Sequence, residues 1–311
     1  MISFRYHVVS LLAVLLALAV GIAAGSGPLQ RSDDDDGDDA GSGATAGADV
    51  DELDGRLAFY DEYARASAGA LLGTGLRNRA VTLLLLPGAT DAEVTEVADA
   101  VATAGGSVTA RAAVDEKLLD VGERQLVEQL ASQMEEQVGN AVDVPSDASG
   151  YERMGLLLAH GLATTTPGGE PVDEAGESVL AGLDTAELVT VQGDLDRRGS
   201  LVLAVGGPPY GSADERQGAG TILTTLLAAV DGRSDGVVLA GPLASAEDDG
   251  LVGALRRDPV AAAEISTVDV ADTAGGAVIS VMALAGEAAG RSGHYGSEAA
   301  AGGAVPGVSG E

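Results

Sequence analysis

Side chains that could act as catalytic groups or metal ligands are few and widely spaced in this chain. Its 311 residues include three histidines (His7, His160 and His294), four single methionines and no cysteine. No Gly-x-Ser-x-Gly turn supplies a nucleophile, and no His-Glu-x-x-His pair supplies two zinc ligands on one helix face. His160 lies within an apolar helical pattern, where a boundary histidine with satisfied hydrogen bonds is the plainer interpretation. We therefore expect a protein that is not an enzyme and has no evident cofactor.

Two acidic or charged clusters offer alternative chemistry. Asp194 and Asp196 stand beside Arg197 and Arg198 between two predicted strands, where the tip of a hairpin explains them and an acid–base pair would need a cleft. The run of aspartates from 33 to 39 offers oxygen ligands that suit calcium or manganese, but a solvated linker has the same composition.

Three loops stand where α/β proteins usually bind ligands. Residues 87–90, 206–211 and 241–245 each follow a predicted strand and precede a predicted helix. In a doubly wound sheet, such loops meet at the carboxyl ends of the strands. The glycine-rich loop 206–211 has neither the dinucleotide fingerprint nor a Walker motif, so a turn is favoured over a phosphate site.

The elements that position these loops alternate between strands and helices. Residues 80–86 form a continuous apolar run of strand length, as a strand covered on both faces requires. Further strands are predicted at 107–114, 188–191, 201–205, 237–240 and 265–270, and helices at 91–104, 116–137, 152–162, 174–182, 212–229, 247–256 and 273–289. The pattern predicts a three-layer, mostly parallel, Rossmann-like α/β domain over residues 77–290. We expect the Gly- and Ala-rich tail, 291–311, to be disordered.

An amphipathic helix is predicted over residues 49–76, before this domain. Its apolar residues recur at alternating steps of three and four, which is the spacing of a coiled-coil seam. The seam consists of Val50, Leu53, Leu57, Tyr60, Ala64, Ser67 and Leu71. A parallel homodimer or higher oligomer through Val50, Leu53, Leu57 and Tyr60 is one interpretation. A helix packed against its own domain is the other.

The first 30 residues have the pattern of a membrane anchor. Val8 to Gly25 carries neither charge nor proline and comes close to the roughly 20 residues that cross a bilayer. Arg5 precedes this stretch and acidic residues follow it, so the positive-inside rule places the N-terminus in the cytoplasm. We therefore predict a single-pass protein of the cell membrane. An acidic disordered linker is expected at 31–48, and the bulk of the chain is expected outside the cytoplasm. A cleaved signal peptide is the alternative, because Ala23-Ala24-Gly25 offers a peptidase site.

Composition narrows the classes of partner. The formal net charge of −31 argues against nucleic acid, which requires a basic surface. The absence of cysteine excludes a disulfide framework, so an extracytoplasmic domain must be stabilised by packing alone.

The N-terminal segment also resembles a known family. Residues Met1–His7 and Gly25–Leu29, around the apolar helix, are similar to the start of the actinobacterial copper transport protein B (MctB-like) family. The likeness is specific over about 30 residues and looser over the α/β region up to Gly293-His294-Tyr295-Gly296. It implies the fold, the membrane topology, outer-membrane association and a role in copper efflux or homeostasis, with the copper ion as the implied ligand.

The sequence contains few of the side chains that usually bind copper. Copper(I) prefers Cys and Met and copper(II) prefers imidazole, yet no Met-rich or His-rich stretch is present. His294 with Tyr295 and Glu298 is the candidate metal site, and a glycine-rich tail without a site fits equally well. The residues taken alone also fit a non-catalytic envelope scaffold that regulates cell-wall or division partners.

Overall fold

The computed structural model describes residues 42–193, 195, 197–298 and 302–307. The predicted anchor from Val8 to Gly25 and most of the acidic linker lie outside these residues. Across the described ranges, no helix has both the length and the hydropathy to cross a membrane.

The elements alternate along the chain as the sequence predicts. The helices are α1 (Ser42–Leu72), α2 (Asp91–Thr103), α3 (Glu116–Leu119), α4 (Arg124–Val138), α5 (Gly150–Leu162), α6 (Glu174–Thr185), α7 (Ala213–Asp231), α8 (Leu251–Arg257), α9 (Ala261–Glu264) and α10 (Ala274–Glu287). The strands are β1 (Ala80–Leu85), β2 (Ser107–Val114), β3 (Glu170–Pro171), β4 (Val189–Val191), β5 (Arg197–Arg198), β6 (Leu201–Val205), β7 (Val237–Ala240), β8 (Ser266–Val268) and β9 (His294–Tyr295). Single 3₁₀ turns occupy Val121–Glu123, Gly139–Ala141 and Leu243–Ala246.

A seven-stranded sheet forms the centre of the fold, which confirms the predicted mixed α/β class. Its strand order is β4-β2-β1-β6-β7-β8-β9. Every pair is parallel except β2 with β4. The chain runs outward from β1 through β2 and then returns to β6 on the other side of β1. The topological switch point therefore lies between β1 and β6.

Helices cover both faces of the sheet, because alternate strand residues point to opposite sides. In β1, Val81, Leu83 and Leu85 join a core with α2 and α10. Leu84, between them, joins a second core built mainly from α4 to α8. Every residue of β1 is buried, as its continuous apolar run predicts.

Helix α1 begins earlier than predicted and has two different halves. The boundary between two compact units of the chain follows Gly55. Beyond it, Leu72 is buried and Ala68 packs against the same core as α2 and α10. The Asp61 carboxylate accepts a hydrogen bond of 3.1 Å from the Ala274 N–H, at the first residue of α10. This C-terminal half of α1 therefore belongs to the α/β body.

The single helix predicted over residues 116–137 is wrong, because it is broken near Asp120. Asp115 caps α3 by accepting the Lys117 N–H at 3.0 Å. Asp120 then adopts an extended conformation and accepts the Gly122 N–H at 2.7 Å. An aspartate that bonds the backbone two residues ahead competes with the helical hydrogen bonds, so a new helix starts only at Arg124.

The bounds of several helices and strands differ from the sequence prediction. Helix 247–256 starts only at Leu251, after a 3₁₀ turn, and strand 265–270 is reduced to β8. Residues 170–171, expected in a loop, pair as β3 with β5. In the tail expected to be disordered, β9 pairs in parallel with β8.

Candidate functional site

The three predicted loops do meet at the carboxyl edge of the sheet, but two of them close against each other. The Gly207 N–H donates to the Pro87 carbonyl at 3.1 Å. A Cβ atom on Gly207 would lie 2.1 Å from the Gly88 carbonyl oxygen. Only glycine fits this approach, so backbone packing fills the space directly between β1 and β6.

A cavity of about 660 Å³ opens beside this contact, on the α7 face of the sheet. One wall comes from α3 and its caps, and the other from α7 and the segment before α8. Between them lies the loop after β6. The cavity is lined by Asp115, Glu116, Lys117, Leu119, Asp120, Gly207, Pro208, Pro209, Tyr210, Gly211, Glu215, Arg216, Ala219, Ser245, Asp249, Gly250 and Leu251. This volume is in the range of small-molecule sites.

Both basic side chains of the cavity are held by carboxylates. Arg216 Nε donates to Asp249 Oδ2 at 3.0 Å, and Arg216 Nη1 donates to the Gly211 carbonyl at 2.6 Å. Lys117 Nζ pairs with Glu187, which lies outside the cavity lining. The remaining carboxylates of the two walls therefore leave the cavity negatively charged.

Tyr210 lies in the loop between these two walls. Burial raises the pKa of its phenol to about 12, and the negative charges of Glu116, Asp115 and Asp120 add to the effect. The phenol therefore stays protonated across the physiological range. Its ring and the adjacent Pro208 and Pro209 give the cavity an apolar surface between charged walls.

The candidate metal residues of the tail lie beside Thr267 and Asp269. His294 Nδ1 lies 2.9 Å from Thr267 Oγ1. Burial lowers the pKa of His294, and the charge of Arg256 lowers it further. The Glu298 N–H donates to Asp269 Oδ2 at 3.2 Å. Within the part of the chain that the structure describes, no three His, Cys, Asp or Glu side chains converge as a metal site.

His160 is a boundary histidine, as its apolar helix suggests. Its Nε2 lies 2.9 Å from Asp173 Oδ1. Burial acts to raise the pKa of Asp173, but hydrogen bonds from the Gly176 N–H and His160, together with the charge of Arg198, outweigh burial and lower it. Arg198 lies in β5, whereas Asp194 and Asp196 are outside the described residues.

A buried acidic group at the other end of the sheet was missed by sequence reasoning. Glu287, at the end of α10, is only 5% exposed. Burial raises its pKa to about 7 against the opposing hydrogen bonds of Ser266, and the charge of Asp231 raises it further. Burial and the charge of Glu264 likewise raise the pKa of Asp231 to about 6. A glutamate in the last turn of a helix resembles an ordinary solvent-exposed residue, so the sequence carries no signal for this burial.

The first half of the predicted seam is exposed. Val50, Leu53, Leu57 and Tyr60 are each 55–60% exposed. Phe59 stacks on Tyr63 with ring centroids 6.4 Å apart and meets Tyr60 edge-on at 5.6 Å. Ala64 and Ser67, in the second half, are partly covered. Leu71, the last seam residue, is again 53% exposed, so Ala64 and Ser67 are the partly covered positions of the seam.

The family model that matches this chain and the related proteins carry the same name, MctB. A family described as "Copper transport outer membrane protein, MctB" matches residues 1–306. Proteins named "Copper transporter MctB" from Mycobacterium tuberculosis and Mycobacterium bovis are 29% identical over 308 residues, covering 95% of this chain and 96% of the relatives. A protein of the same name from Mycobacterium leprae is 28% identical over 296 residues, covering 91% of this chain and 92% of the relative.

Proposed function

Because this chain belongs to the MctB copper transport family, we propose that it is a single-pass membrane protein whose α/β body lies outside the cytoplasm and takes part in copper efflux or homeostasis. The family match over residues 1–306 carries this proposal, since it includes the apolar segment, α1 and the whole sheet. Copper is cargo in this role, not a resident cofactor.

The sequence supports the topology independently of the family. Val8–Gly25 has almost the apolar length of a membrane span, and Arg5 marks its cytoplasmic side. The chain has no cysteine, so its fold does not depend on the redox state of the compartment. Its buried parallel sheet supplies the stability that an extracytoplasmic body needs without disulfides.

The copper role is tested by deleting the gene in the host and restoring the full chain. We expect the deletion strain to grow poorly on copper and to accumulate cell-associated copper, with normal zinc content as the metal control. Complementation by the full chain should reverse both defects. Unchanged copper tolerance and content in the deletion strain would contradict the proposed role.

The topology is tested with single cysteines, which the cysteine-free chain makes unambiguous. Glu136 is exposed on α4, and Ser3 precedes the apolar segment. A membrane-impermeant maleimide should label Glu136→Cys in intact cells and Ser3→Cys only after lysis. The reverse pattern would place the body in the cytoplasm and refute the arrangement.

The exposed seam positions of α1 favour a second candidate, an envelope scaffold that dimerises in parallel through Val50, Leu53, Leu57 and Tyr60. Four consecutive seam positions are more than half exposed, which is the surface that a second helix would cover. Val50 to Tyr60 covers 11 residues, which is below the roughly 12–15 residues under which isolated helices are marginal, so this segment is too short for a stable coiled coil in isolation. Anchoring in one membrane would offset this by raising the local concentration of the helices.

Dimerisation is tested by the mass of the full chain in detergent. Leu53→Asp combined with Leu57→Asp should convert a dimer into a monomer, because the charges would face each other across the seam. Ala58→Asp combined with Ala66→Asp is the matched control, since both alanines are exposed on other faces of α1. Equal masses for the two double variants would show that the seam does not mediate dimerisation.

A further inference from the structure

We propose that the cavity between α3 and α7 binds a polyamine-type organic dication, a flexible alkyl chain with an ammonium group at each end. The proposal rests on the arrangement of charge and apolar surface in the 660 Å³ cavity. It is independent of the copper role, so either proposal can fail without the other.

The charge of the cavity is divided between two walls. Asp115, Glu116 and Asp120 line the wall formed by α3, and Glu215 lines the wall formed by α7, where Asp249 is already paired with Arg216. A ligand with cationic groups at both ends would meet carboxylates on both sides. A compact monovalent ion would neutralise only one of them.

Three of these carboxylates are oriented by hydrogen bonds from backbone N–H groups. Asp115 and Asp120 accept backbone N–H groups at 3.0 and 2.7 Å. Glu215 Oε2 accepts the Ser212 N–H at 2.7 Å, within the capping box of α7. Backbone donors orient a carboxylate but leave it negatively charged, so these groups are preorganised for a cation.

The protein's own cations do not neutralise this surface. Arg216 is held by Asp249 and by the Gly211 carbonyl. Lys117 turns to Glu187, outside the cavity lining. The α3 wall therefore keeps three carboxylates against one lysine that is already paired.

The surface between the walls suits methylene groups. Pro208, Pro209 and the ring of Tyr210 lie in the loop after β6, with Leu119 and Leu251 beside them. An aromatic ring also attracts an ammonium group that passes over its face. The site thus offers apolar contact along the chain of the ligand and negative charge at its two ends.

The test compares three probes with eight-carbon chains against the full-length protein in a non-ionic detergent, by isothermal titration calorimetry. The probes are 1,8-diaminooctane, 1,8-octanediol and octanedioate. The diamine carries two positive charges, the diol carries none, and octanedioate carries two negative charges. We expect the diamine alone to bind. Equal binding of the diol, or no binding of the diamine, would overturn the proposal.

Two charge reversals locate the site. Glu116→Lys should weaken diamine binding about tenfold, because it replaces an attraction with a repulsion at a solvent-accessible site. Glu136→Lys on α4 makes the same charge change away from the cavity and should leave the affinity within about twofold, because salt screens distant exposed charges. Equal losses in both variants would show diffuse attraction to an acidic protein and refute a site. The unfolding midpoint without ligand checks that both variants are folded.

Discussion

Replacing Glu287 with glutamine should stabilise the protein at pH 8 and leave its stability at pH 5 almost unchanged. The Glu287 carboxylate is 5% exposed and accepts the Ser266 N–H at 2.8 Å, together with the Ser266 and Ser292 hydroxyls. Neutral donors supply these bonds, and burial, reinforced by Asp231, still raises the pKa of Glu287 to about 7.

The sign of the effect follows from this raised pKa. The ordinary pKa of a glutamate is 4.5, so the unfolded chain loses the proton at lower pH than the folded protein does. Folding therefore becomes less favourable as the pH rises from about 4.5 to about 7, and the penalty is constant above that. The difference between the two pKa values, at roughly 1.4 kcal/mol per pH unit, is about 3 kcal/mol.

Glutamine removes the charge and keeps an oxygen for both Ser266 donors. We expect the Glu287→Gln variant to be more stable than the parent by up to about 3 kcal/mol at pH 8 and by less than about 1 kcal/mol at pH 5. Urea unfolding of the full chain in detergent, followed by circular dichroism at several pH values, measures the difference. Glu136→Gln, an exposed carboxylate on α4, is the control and should change little at either pH.

Two results would refute this reasoning. Equal stabilisation at pH 5 and pH 8 would mean that packing or hydrogen bonding, and not ionisation, distinguishes the variant. A loss of stability at pH 8 would mean that the carboxylate charge is stabilised by the fold, contrary to its burial without a basic partner among the described contacts.

Three further predictions concern single contacts. Asp269→Ala should cost about 3–5 kcal/mol and make the tail after Tyr295 sensitive to protease, because Asp269 is fully buried and accepts Arg256 Nη1 at 2.9 Å and the Ser297 N–H at 2.7 Å. Intact protection of the tail would contradict this. Gly207→Ala should cost about 1–3 kcal/mol or more by forcing apart the loops after β1 and β6, whereas Gly168→Ala, with open space around it, should be neutral in the same urea titration. Asp61→Ala should cost about 1 kcal/mol through the lost cap on α10, and Asp51→Ala at an exposed position of α1 is its control.

The local sequence pattern was sufficient to predict the strands and helix starts that short-range interactions determine. The apolar run at β1 predicted a fully buried strand, because a strand covered on both faces has no polar positions. Thr90 and the Ser212–Glu215 spacing predicted helix starts, and both are capping boxes in the structure. The break at Asp120 was missed because the same residue is compatible with a helix and with a local turn.

The candidate site was predictable only in part. The three loops could be placed at one edge of the sheet, since parallel strands joined by helices end on the same side. The cavity beside them depends on α3, which the sequence merged into a longer helix. The candidate metal pair, His294 with Glu298, stays a prediction: the His294 imidazole lies against Thr267, and the Glu298 backbone N–H donates to Asp269.

The amino-acid sequence alone predicts the alternation of strands and helices, the acidity, the absence of disulfides and the apolar N-terminal stretch, because each depends on composition or on residues close in the chain. Three features depend on the tertiary fold: the contact of one side of α1 with the core through Ala68 and Leu72, the addition of β9 to the sheet, and the burial of Glu287. These outcomes depend on residues far apart in sequence, such as Asp61 with Ala274 and Glu287 with Ser266. No local pattern encodes such pairs, since the distance between their members is set by the packing of the whole sheet.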